Sequence, residues 1–134
     1  MIRKLDETVM VSGQIQPADV AGLKDQGVSM IVCNRPDEEE PGQPSAAKIE
    51  RAAKQSEIQF RHIPISRGID PSDAQGMKEA IEAADGKLLA YCRTGNRSAL
   101  VWAVARRGQG ASVEELEKAA AQAGVDLAPV AHLL

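Results

Sequence analysis

The first indication of the fold lies in residues 87–107, KLLAYCRTGNRSALVWAVARR. Lys87 to Cys92 is a short apolar run of the kind found in buried strands. A short loop with a central glycine follows it, and the apolar segment from Ser98 to Arg107 is typical of a packed helix. A strand that leads through a tight loop into a helix is a common unit of α/β folds, so this stretch predicts an α/β protein.

The segments around this stretch alternate between strand and helix patterns. The predicted strands are Thr8–Ser12, Val28–Cys33 and Ile58–Ile65, and the predicted helices are Pro17–Gln26, Ser45–Lys54, Asp70–Ala84 and Ser112–Ala123. The segment Asn34–Pro44 is rich in proline, glycine and acidic residues and predicts one long loop. The alternation predicts a parallel or mostly parallel sheet with helices on its faces, and such sheets bind ligands beyond the C-terminal ends of their strands.

The composition is that of one mildly acidic domain. The chain has 134 residues, with 16 Lys plus Arg against 19 Asp plus Glu and a formal net charge of −3. It lacks a basic block and has only three aromatic residues, Phe60, Tyr91 and Trp102, so no nucleic acid is expected as a partner. It also lacks an apolar run of roughly 20 residues and the apolar core of a secretory signal. We therefore expect a single cytoplasmic domain over residues 1–134, with no membrane contact.

The two cysteines, Cys33 and Cys92, each end a predicted strand. Two are too few for a disulfide scaffold or a four-thiolate zinc site, and no group of residues has metal-ligand spacing, so neither a metal nor a cofactor is expected. Cys92 is the candidate nucleophile, because it precedes a glycine-containing loop and a helix. Cys33 is either a small buried residue or a resolving thiol for Cys92, and the sequence leaves both open.

The loop after Cys92 has the residue types that bind an anion against a sulfur. A free cysteine has a pKa near 8.5, and a helix N-terminus lowers such a value because its amides and dipole favour negative charge. The candidate anion-binding residues form one continuous run: Arg93, Thr94, Gly95, Asn96, Arg97 and Ser98. Their amides could converge on one point as a nest, for which Gly95 supplies a backbone conformation with positive φ.

Two side chains of the loop are candidate catalytic residues beside Cys92. Arg97 has a planar fork suited to two oxygens of an oxyanion, whereas Arg93 is the weaker candidate because alternate loop side chains point to solvent. Ser98 would either donate a hydrogen bond to the sulfur of Cys92 or cap the helix. The plainer interpretation is a buried cysteine at a strand end followed by an ordinary turn. That interpretation leaves two arginines, a glycine and a serine within a few residues unexplained.

Residues 92–98, CRTGNRS, resemble the active-site loop of single-domain rhodaneses, and also the Cys-x5-Arg loop of protein tyrosine and dual-specificity phosphatases. The rest of the chain is more similar to the bacterial beta-lactamase-hydrolase-like phosphatase-like domain family, some of whose members are labelled sulfur transferases. This resemblance rests on Val11–Gln14, Asn34–Gly42, His62–Ile65 and the cysteine loop, and it extends from about Val9 to Leu127. It implies a fold like that of dual-specificity phosphatases, with a central sheet of four or five strands flanked by helices.

The chain departs from the phosphatase pattern in three ways. Only four residues separate Cys92 from Arg97, where that pattern has five. The histidine that precedes the phosphatase cysteine is replaced by Tyr91. Near the position of the aspartate that protonates the leaving alcohol stands Arg67, with Asp70 and Asp73 beyond it as weak candidates for that acid. Asp70 also has an alternative role as a helix N-cap, and Asp73 as an acid in the first helical turn.

These departures make a sulfurtransferase the first function expected from the sequence. A sulfane sulfur would pass from thiosulfate or a persulfide to the Cys92 thiolate and then to an acceptor thiol, and no general acid is needed. The second hypothesis is a phosphatase-like hydrolase that forms a phosphocysteine on Cys92. The third is a non-catalytic module that binds anions or thiols, with a sulfide-oxidising enzyme as a conceivable partner. The three aromatic residues fall in predicted strands and a helix and are expected in the core, which argues against a deep phosphotyrosine slot. The expected ligand is therefore a small anion.

Overall fold

Five strands form one sheet in the computed structural model, which describes residues 1–134. In chain order they are β1 (Arg3–Lys4), β2 (Val9–Ser12), β3 (Val28–Cys33), β4 (Gln59–His62) and β5 (Lys87–Tyr91). Across the sheet the order is β1-β2-β5-β3-β4. The last four strands in this order run parallel, and β1 pairs antiparallel with β2. The predicted mostly parallel sheet is therefore confirmed. Strand β1 escapes sequence analysis, because two residues carry no periodicity.

Five α-helices flank the sheet. They are α1 (Val20–Asp25), α2 (Ala46–Gln55), α3 (Pro71–Ala83), α4 (Asn96–Gly108) and α5 (Val113–Gln122), with 3₁₀ turns at Pro17–Asp19 and Ala128–Leu133. The segment predicted as one helix from Pro17 divides into the first 3₁₀ turn and α1, and the C-terminal 3₁₀ turn escapes prediction. None of the helices has both the length and the apolar character needed to cross a membrane.

The sheet buries an apolar layer on each face. The larger cluster contains Trp102 of α4 and Met77 of α3 together with the inward side chains of β2 and β5. The smaller cluster lies under α1 and α2 and contains Ile49 and Tyr91. Side chains alternate between the two faces along each strand, so Leu88 and Leu89, which are neighbours in sequence, belong to different clusters.

The edge strand β4 is shorter than the predicted run from Ile58 to Ile65. Pro64 has no N–H to donate to a ladder, which favours an early end of the strand. Backbone hydrogen bonds nevertheless continue beyond the end of β4. The N–H of Ile63 donates to Cys33 O at 2.9 Å, and the N–H of Ile65 donates to Asn34 O at 2.9 Å. The chain after β4 is thereby held against the chain after β3.

The parallel strands bring three loops to one edge of the sheet. Cys33 pairs in register with both Tyr91 and His62, and Ser12 pairs with Tyr91. The segments that follow β2, β3 and β5 therefore start side by side at the C-terminal ends of the strands. This is the edge at which sheets of this kind bind their ligands.

Candidate active site

The loop between β5 and α4 curls around the sulfur of Cys92. The cysteine is fully buried, and its N–H donates to Ser12 O of the neighbouring strand at 3.3 Å. The backbone N–H of Gly95 donates to Cys92 Sγ at 3.1 Å. Gly95 is the N-cap of α4 and has φ +96°, a left-handed conformation that strongly favours glycine. The local sequence thus folds so that a peptide N–H meets the sulfur at the start of a helix.

Four further N–H groups of the loop have no acceptor within the protein. They belong to Arg93, Thr94, Arg97 and Ser98. The N–H of Asn96 differs, because it donates to Oγ1 of Thr94 at 3.3 Å. The first turn of any helix leaves its amides without intrahelical partners, and together with loop amides they form a site that favours anions. The loop therefore has the donors for several oxygens of a tetrahedral anion next to the sulfur.

The guanidinium of Arg97 holds a carboxylate of its own chain. Nη1 and Nη2 donate to the two oxygens of Glu39 at 2.8 and 3.0 Å, and Nη1 also donates to Ile65 O at 2.6 Å. Glu39 raises the pKa of Arg97, and the nearby sulfur of Cys92 adds to that effect. Conversely, the hydrogen bond from Arg97 is the main cause that lowers the pKa of Glu39. The two Nη atoms of the guanidinium are thus fixed by Glu39 and Ile65 O.

The acidic segment after β3 is tied down by a buried arginine. Arg35 is only 3% exposed, and its Nε and Nη2 contact Glu39 at 2.9 Å and Glu40 at 2.6 Å. Its Nη1 donates to Oε1 of Gln14 at 3.0 Å. Glu40 also pairs with Arg93 of the cysteine loop at 3.2 Å. Arg35 thus holds two glutamates that also pair with arginines of the cysteine loop.

The hydroxyl of Ser98 has neither of the two roles that the sequence suggests. Helix α4 begins at Asn96 with Gly95 as N-cap, so the idea that Ser98 caps this helix is wrong. Its buried hydroxyl donates to Oδ1 of Asn34 at 2.8 Å and has no hydrogen bond to the sulfur. Nδ2 of Asn34 in turn donates to Ile63 O at 3.0 Å. Ser98 thus ties the helix that follows the cysteine loop to the ends of β3 and β4.

Asp70 and Asp73 form the N-terminal capping box of α3. The side chain of Asp70 accepts from the backbone of Asp73, and Oδ2 of Asp73 accepts from the N–H of Asp70 at 3.0 Å. Their capping roles are therefore confirmed. No hydrogen bond or ion pair joins either carboxylate to residues 92–98. Their use as a general acid stays a prediction.

Cys33 lies on the opposite face of the sheet from the cysteine loop. It pairs with Tyr91 in register and packs with it in the smaller cluster, whereas Cys92 is the next residue along and points the other way. Its Sγ donates to Arg35 O at 3.3 Å, and burial raises the pKa of the Cys33 thiol. Burial likewise raises the pKa of Tyr91, whose hydroxyl has no hydrogen-bond partner. These features fit a small buried residue and disfavour a disulfide with Cys92.

Two residues of the candidate site have no assigned function in the sequence analysis. Glu39 falls within the acidic segment that the sequence predicts as a loop, and Asn34 is the first residue of that loop. The available signal for Glu39 was its spacing of four residues from Arg35 and the high density of acid after a strand end. Its contact with Arg97 spans 58 residues, and nothing local in the sequence reveals such a contact.

Comparison with known proteins places this chain among phosphatase-like domains. Residues 1–109 match the family described as "Beta-lactamase hydrolase-like protein, phosphatase-like domain". A curated relative from Agrobacterium fabrum, named beta-lactamase hydrolase-like protein, is 29% identical over 120 residues, or 86% of this chain. A protein of the same name from Xylella fastidiosa is 29% identical over 101 residues, or 75% of this chain. The chain spans only 28% and 23% of the length of these two relatives.

Solved structures with a similar fold include phosphatase-like proteins. A crystal structure from Neisseria meningitidis, which carries the provisional name of a phosphatase, is 38% identical with a TM-score of 0.82, and the match covers 96% of this chain and 92% of that one. The structure of TpbA from P. aeruginosa in complex with pTyr is 20% identical with a TM-score of 0.61, covering 94% of this chain and 85% of that one. The second likeness is one of fold, and it confirms the predicted cysteine-phosphatase-like architecture.

Proposed function

The chain belongs to the phosphatase-like domain family of beta-lactamase hydrolase-like proteins, and within it we propose that this domain hydrolyses phosphate monoesters through a phosphocysteine on Cys92. The predictions of this family and of a phosphatase-like enzyme are both confirmed. Phosphate-ester hydrolysis, the second hypothesis from the sequence, now takes precedence over sulfur transfer. The activity of the longer relatives as whole proteins is a separate matter, because the chain matches only a part of them.

The arrangement of donors around one sulfur carries this proposal. Gly95 N–H donates to Cys92 Sγ at 3.1 Å, and the four N–H groups without an acceptor lie in the same loop and the first turn of α4. Helix α4 has 13 residues, long enough for its N-terminus to favour negative charge. A phosphoryl group in transfer carries its charge on three oxygens, which N–H donors fixed in advance stabilise without reorganisation.

The chemistry proceeds in two displacements. In the first, the Cys92 thiolate attacks phosphorus, the P–S bond forms, and the P–O bond to the alcohol breaks with its electron pair on the leaving oxygen. In the second, water attacks phosphorus, the P–S bond breaks, and inorganic phosphate leaves with the thiolate restored. Arg97 supplies positive charge next to the transferred group, and Glu39 fixes its position.

The absence of an unpaired carboxyl group at the loop suggests the substrate class. Glu39 and Glu40 are paired with arginines, and Asp70 and Asp73 cap α3. Esters whose alcohol leaves readily as an anion need the least help from an acid. We therefore expect aryl phosphates, such as phosphotyrosine or a phenolic ester, to react faster than alkyl phosphates. The fold neighbour TpbA binds pTyr, which is an aryl phosphate.

Steady-state turnover of an aryl phosphate tests the proposal. The wild-type chain should release phosphate, Cys92→Ser should not, and rapid acid quenching followed by intact-mass measurement should show one phosphoryl group on Cys92. Cys33→Ser is the matched control, because it removes the other buried cysteine on the opposite face. Wild-type protein that neither turns over nor becomes phosphorylated would contradict the proposal. If inorganic phosphate still binds at the loop in that case, the non-catalytic anion-binding module is favoured.

The size of the loop keeps sulfur transfer as a second candidate. Four residues separate Cys92 from Arg97, which gives a smaller ring than the phosphatase pattern. In this reaction the thiolate attacks the outer sulfur of thiosulfate, the S–S bond breaks, sulfite leaves, and a persulfide remains on Cys92 for an acceptor thiol. Intact-mass analysis after thiosulfate treatment should then show one added sulfur that is absent in Cys92→Ser. An unchanged mass would remove this candidate.

A further inference from the structure

Arg3 of β1 reaches across to the outer side of the cysteine loop. Its Nη2 donates to Thr94 O at 2.7 Å, and its Nη1 donates to Ala123 O at 2.8 Å. Ala123 is the residue at which α5 ends. One guanidinium fork therefore joins the loop to the last turn of a helix that is separate from both β5 and α4. The side chain is half-buried, and it makes no salt bridge to an acidic residue.

The hydrogen bond from Arg3 acts on the same peptide group that meets the sulfur. The carbonyl of the Thr94–Gly95 peptide accepts from Arg3, and the N–H of that peptide donates to Cys92 Sγ at 3.1 Å. In a planar trans peptide the C=O and N–H point in opposite directions. A peptide whose carbonyl is held outward by Arg3 must therefore present its N–H inward to the sulfur. The reversed orientation would place a carbonyl oxygen against the thiolate.

The absence of a side chain at residue 95 makes this contact possible. A Cβ at Gly95 would collide with Nη2 of Arg3, so the guanidinium occupies the space that any larger residue would fill. Gly13 has a related role on the other side of the loop, because a Cβ there would lie 2.9 Å from Arg93 O. The loop is thus enclosed closely by the N-terminal part of the chain. The guanidinium of Arg3 can occupy this position only because residue 95 has no side chain.

We propose that Arg3 is a positioning residue for the Cys92 nucleophile. It fixes the Thr94–Gly95 peptide with its N–H on the sulfur, and this N–H stabilises the thiolate over the thiol. The proposal rests on the proposed function only in taking Cys92 as the nucleophile. Arg3 donates to Thr94 O and Ala123 O and not to the sulfur, so its effect on Cys92 passes through this peptide.

The pH dependence of thiolate formation tests this role without any turnover measurement. Thiolate is followed by its ultraviolet absorbance in Cys33→Ser protein, with the signal of the corresponding Cys92→Ser protein subtracted. In Arg3→Met we expect the titration midpoint to move to higher pH by about one unit, which corresponds to a roughly tenfold smaller thiolate population at a pH below the midpoint. In parallel, kcat for an aryl phosphate should fall while KM changes little.

Two further variants separate the effect of the Arg3 hydrogen bonds from the effect of positive charge on this strand. Arg3→Lys keeps the positive charge but cannot bond both carbonyls, so its midpoint should move in the same direction as that of Arg3→Met. It also serves as the test variant if Arg3→Met does not fold. Lys4→Met, on the same strand with its ammonium 3.0 Å from Glu7, should leave the midpoint unchanged.

An unshifted midpoint in both Arg3 variants would overturn the proposal. So would equal shifts in Arg3→Met and Lys4→Met, or a wild-type midpoint in Arg3→Lys beside a shifted one in Arg3→Met, because either result would make net charge the cause. If the midpoints shift as expected and the wild-type chain hydrolyses no phosphate ester, the role of Arg3 stands and the proposed function fails.

Discussion

A single carboxylate, that of Glu39, connects the buried Arg35 with Arg97 of the cysteine loop. It contacts the buried Arg35 at 2.9 Å and binds Arg97 through both of its oxygens. Arg–carboxylate pairs with two parallel hydrogen bonds fix geometry as well as charge. The side chain of Glu39 is only 27% exposed, so solvent screens this pair less than a pair on the open surface. The orientation of Arg97 towards the loop therefore depends on a residue from another part of the chain.

Replacing Glu39 should therefore impair catalysis more than folding. In Glu39→Gln the carboxylate is lost and Arg97 keeps only its bond to Ile65 O in full strength. We expect kcat/KM for an aryl phosphate to fall by up to roughly 10²-fold, because small displacements of a positioned group have effects of this order. Glu38→Gln is the matched control, since this exposed neighbour makes no hydrogen bond or salt bridge with its side chain. Equal kcat/KM in Glu39→Gln and wild-type protein would contradict the role of Glu39.

Gly95→Ala tests the backbone of the loop. The left-handed φ of +96° costs an L-residue about 1–2 kcal/mol, and the new Cβ would also displace Arg3. We expect lower stability in urea unfolding together with loss of turnover. Gly108→Ala is the control at the other end of α4, where a Cβ meets nothing within 4 Å, and it should be neutral or stabilising by about 0.5–1 kcal/mol. A Gly95→Ala protein with wild-type stability and turnover would show that the loop does not need this conformation.

The helices follow the local signals at their N-termini. Ser45 and Ser112 accept hydrogen bonds from the third residue of α2 and α5, as N-cap side chains do. Asp70 and Asp73 do the same reciprocally for α3. Such caps involve residues within one turn, and the sequence alone therefore suffices to place them.

Asp70→Ala distinguishes a cap from a general acid. Loss of the cap should lower the free energy of unfolding by about 1 kcal/mol, with kcat for an aryl phosphate unchanged. The measurement is urea unfolding combined with turnover of one aryl and one alkyl phosphate. Asp85→Ala is the control, because this exposed acid after α3 has no hydrogen bond. If Asp70→Ala instead selectively slows the alkyl phosphate, Asp70 is the general acid.

At the scale of the whole molecule, two apolar layers enclose the sheet. We propose that residues 1–134 fold as one unit, because side chains of the shared strands β2, β3 and β5 contribute to both layers. The only tryptophan, Trp102, is buried and donates to Oδ2 of Asp6 at 3.2 Å. Its fluorescence and the far-ultraviolet circular dichroism should therefore change together in urea. Separate transitions would show independent units.

Because of the ion pairs around Glu39, the free energy of unfolding should depend on pH in the acidic range. The pKa of Glu39 in the folded protein is lowered, chiefly by the hydrogen bond from Arg97. A lowered carboxylate pKa contributes stability that is complete above the unfolded value of about 4.3 and is lost as pH falls through the folded value.

Unfolding free energies of wild-type and Glu39→Gln protein, measured from neutral pH down to about pH 3, provide the test. The wild-type protein should lose stability more steeply than the variant over the acid part of this range. Parallel curves would mean that Glu39 contributes no pH dependence.

The sequence by itself determined the order of strands and helices, the loop after Cys92 and the helix caps. These features depend on residues close together in the chain, and apolar periodicity and turn chemistry act over that range. The start of α4 at Asn96 rather than near Ser98 is a local error, which arose because Gly95 takes the N-cap position and leaves Ser98 free for another partner.

Tertiary structure alone decided the contacts that shape the candidate site. Glu39 meets Arg97 across 58 residues, and Arg3 meets Thr94 across 91. The face on which Cys33 lies was likewise open until its register with Tyr91 was known. The physical reason is that such contacts follow from strand order and register, which bring distant loops to one edge of the sheet, and a local pattern contains no information about which distant residue will lie beside it.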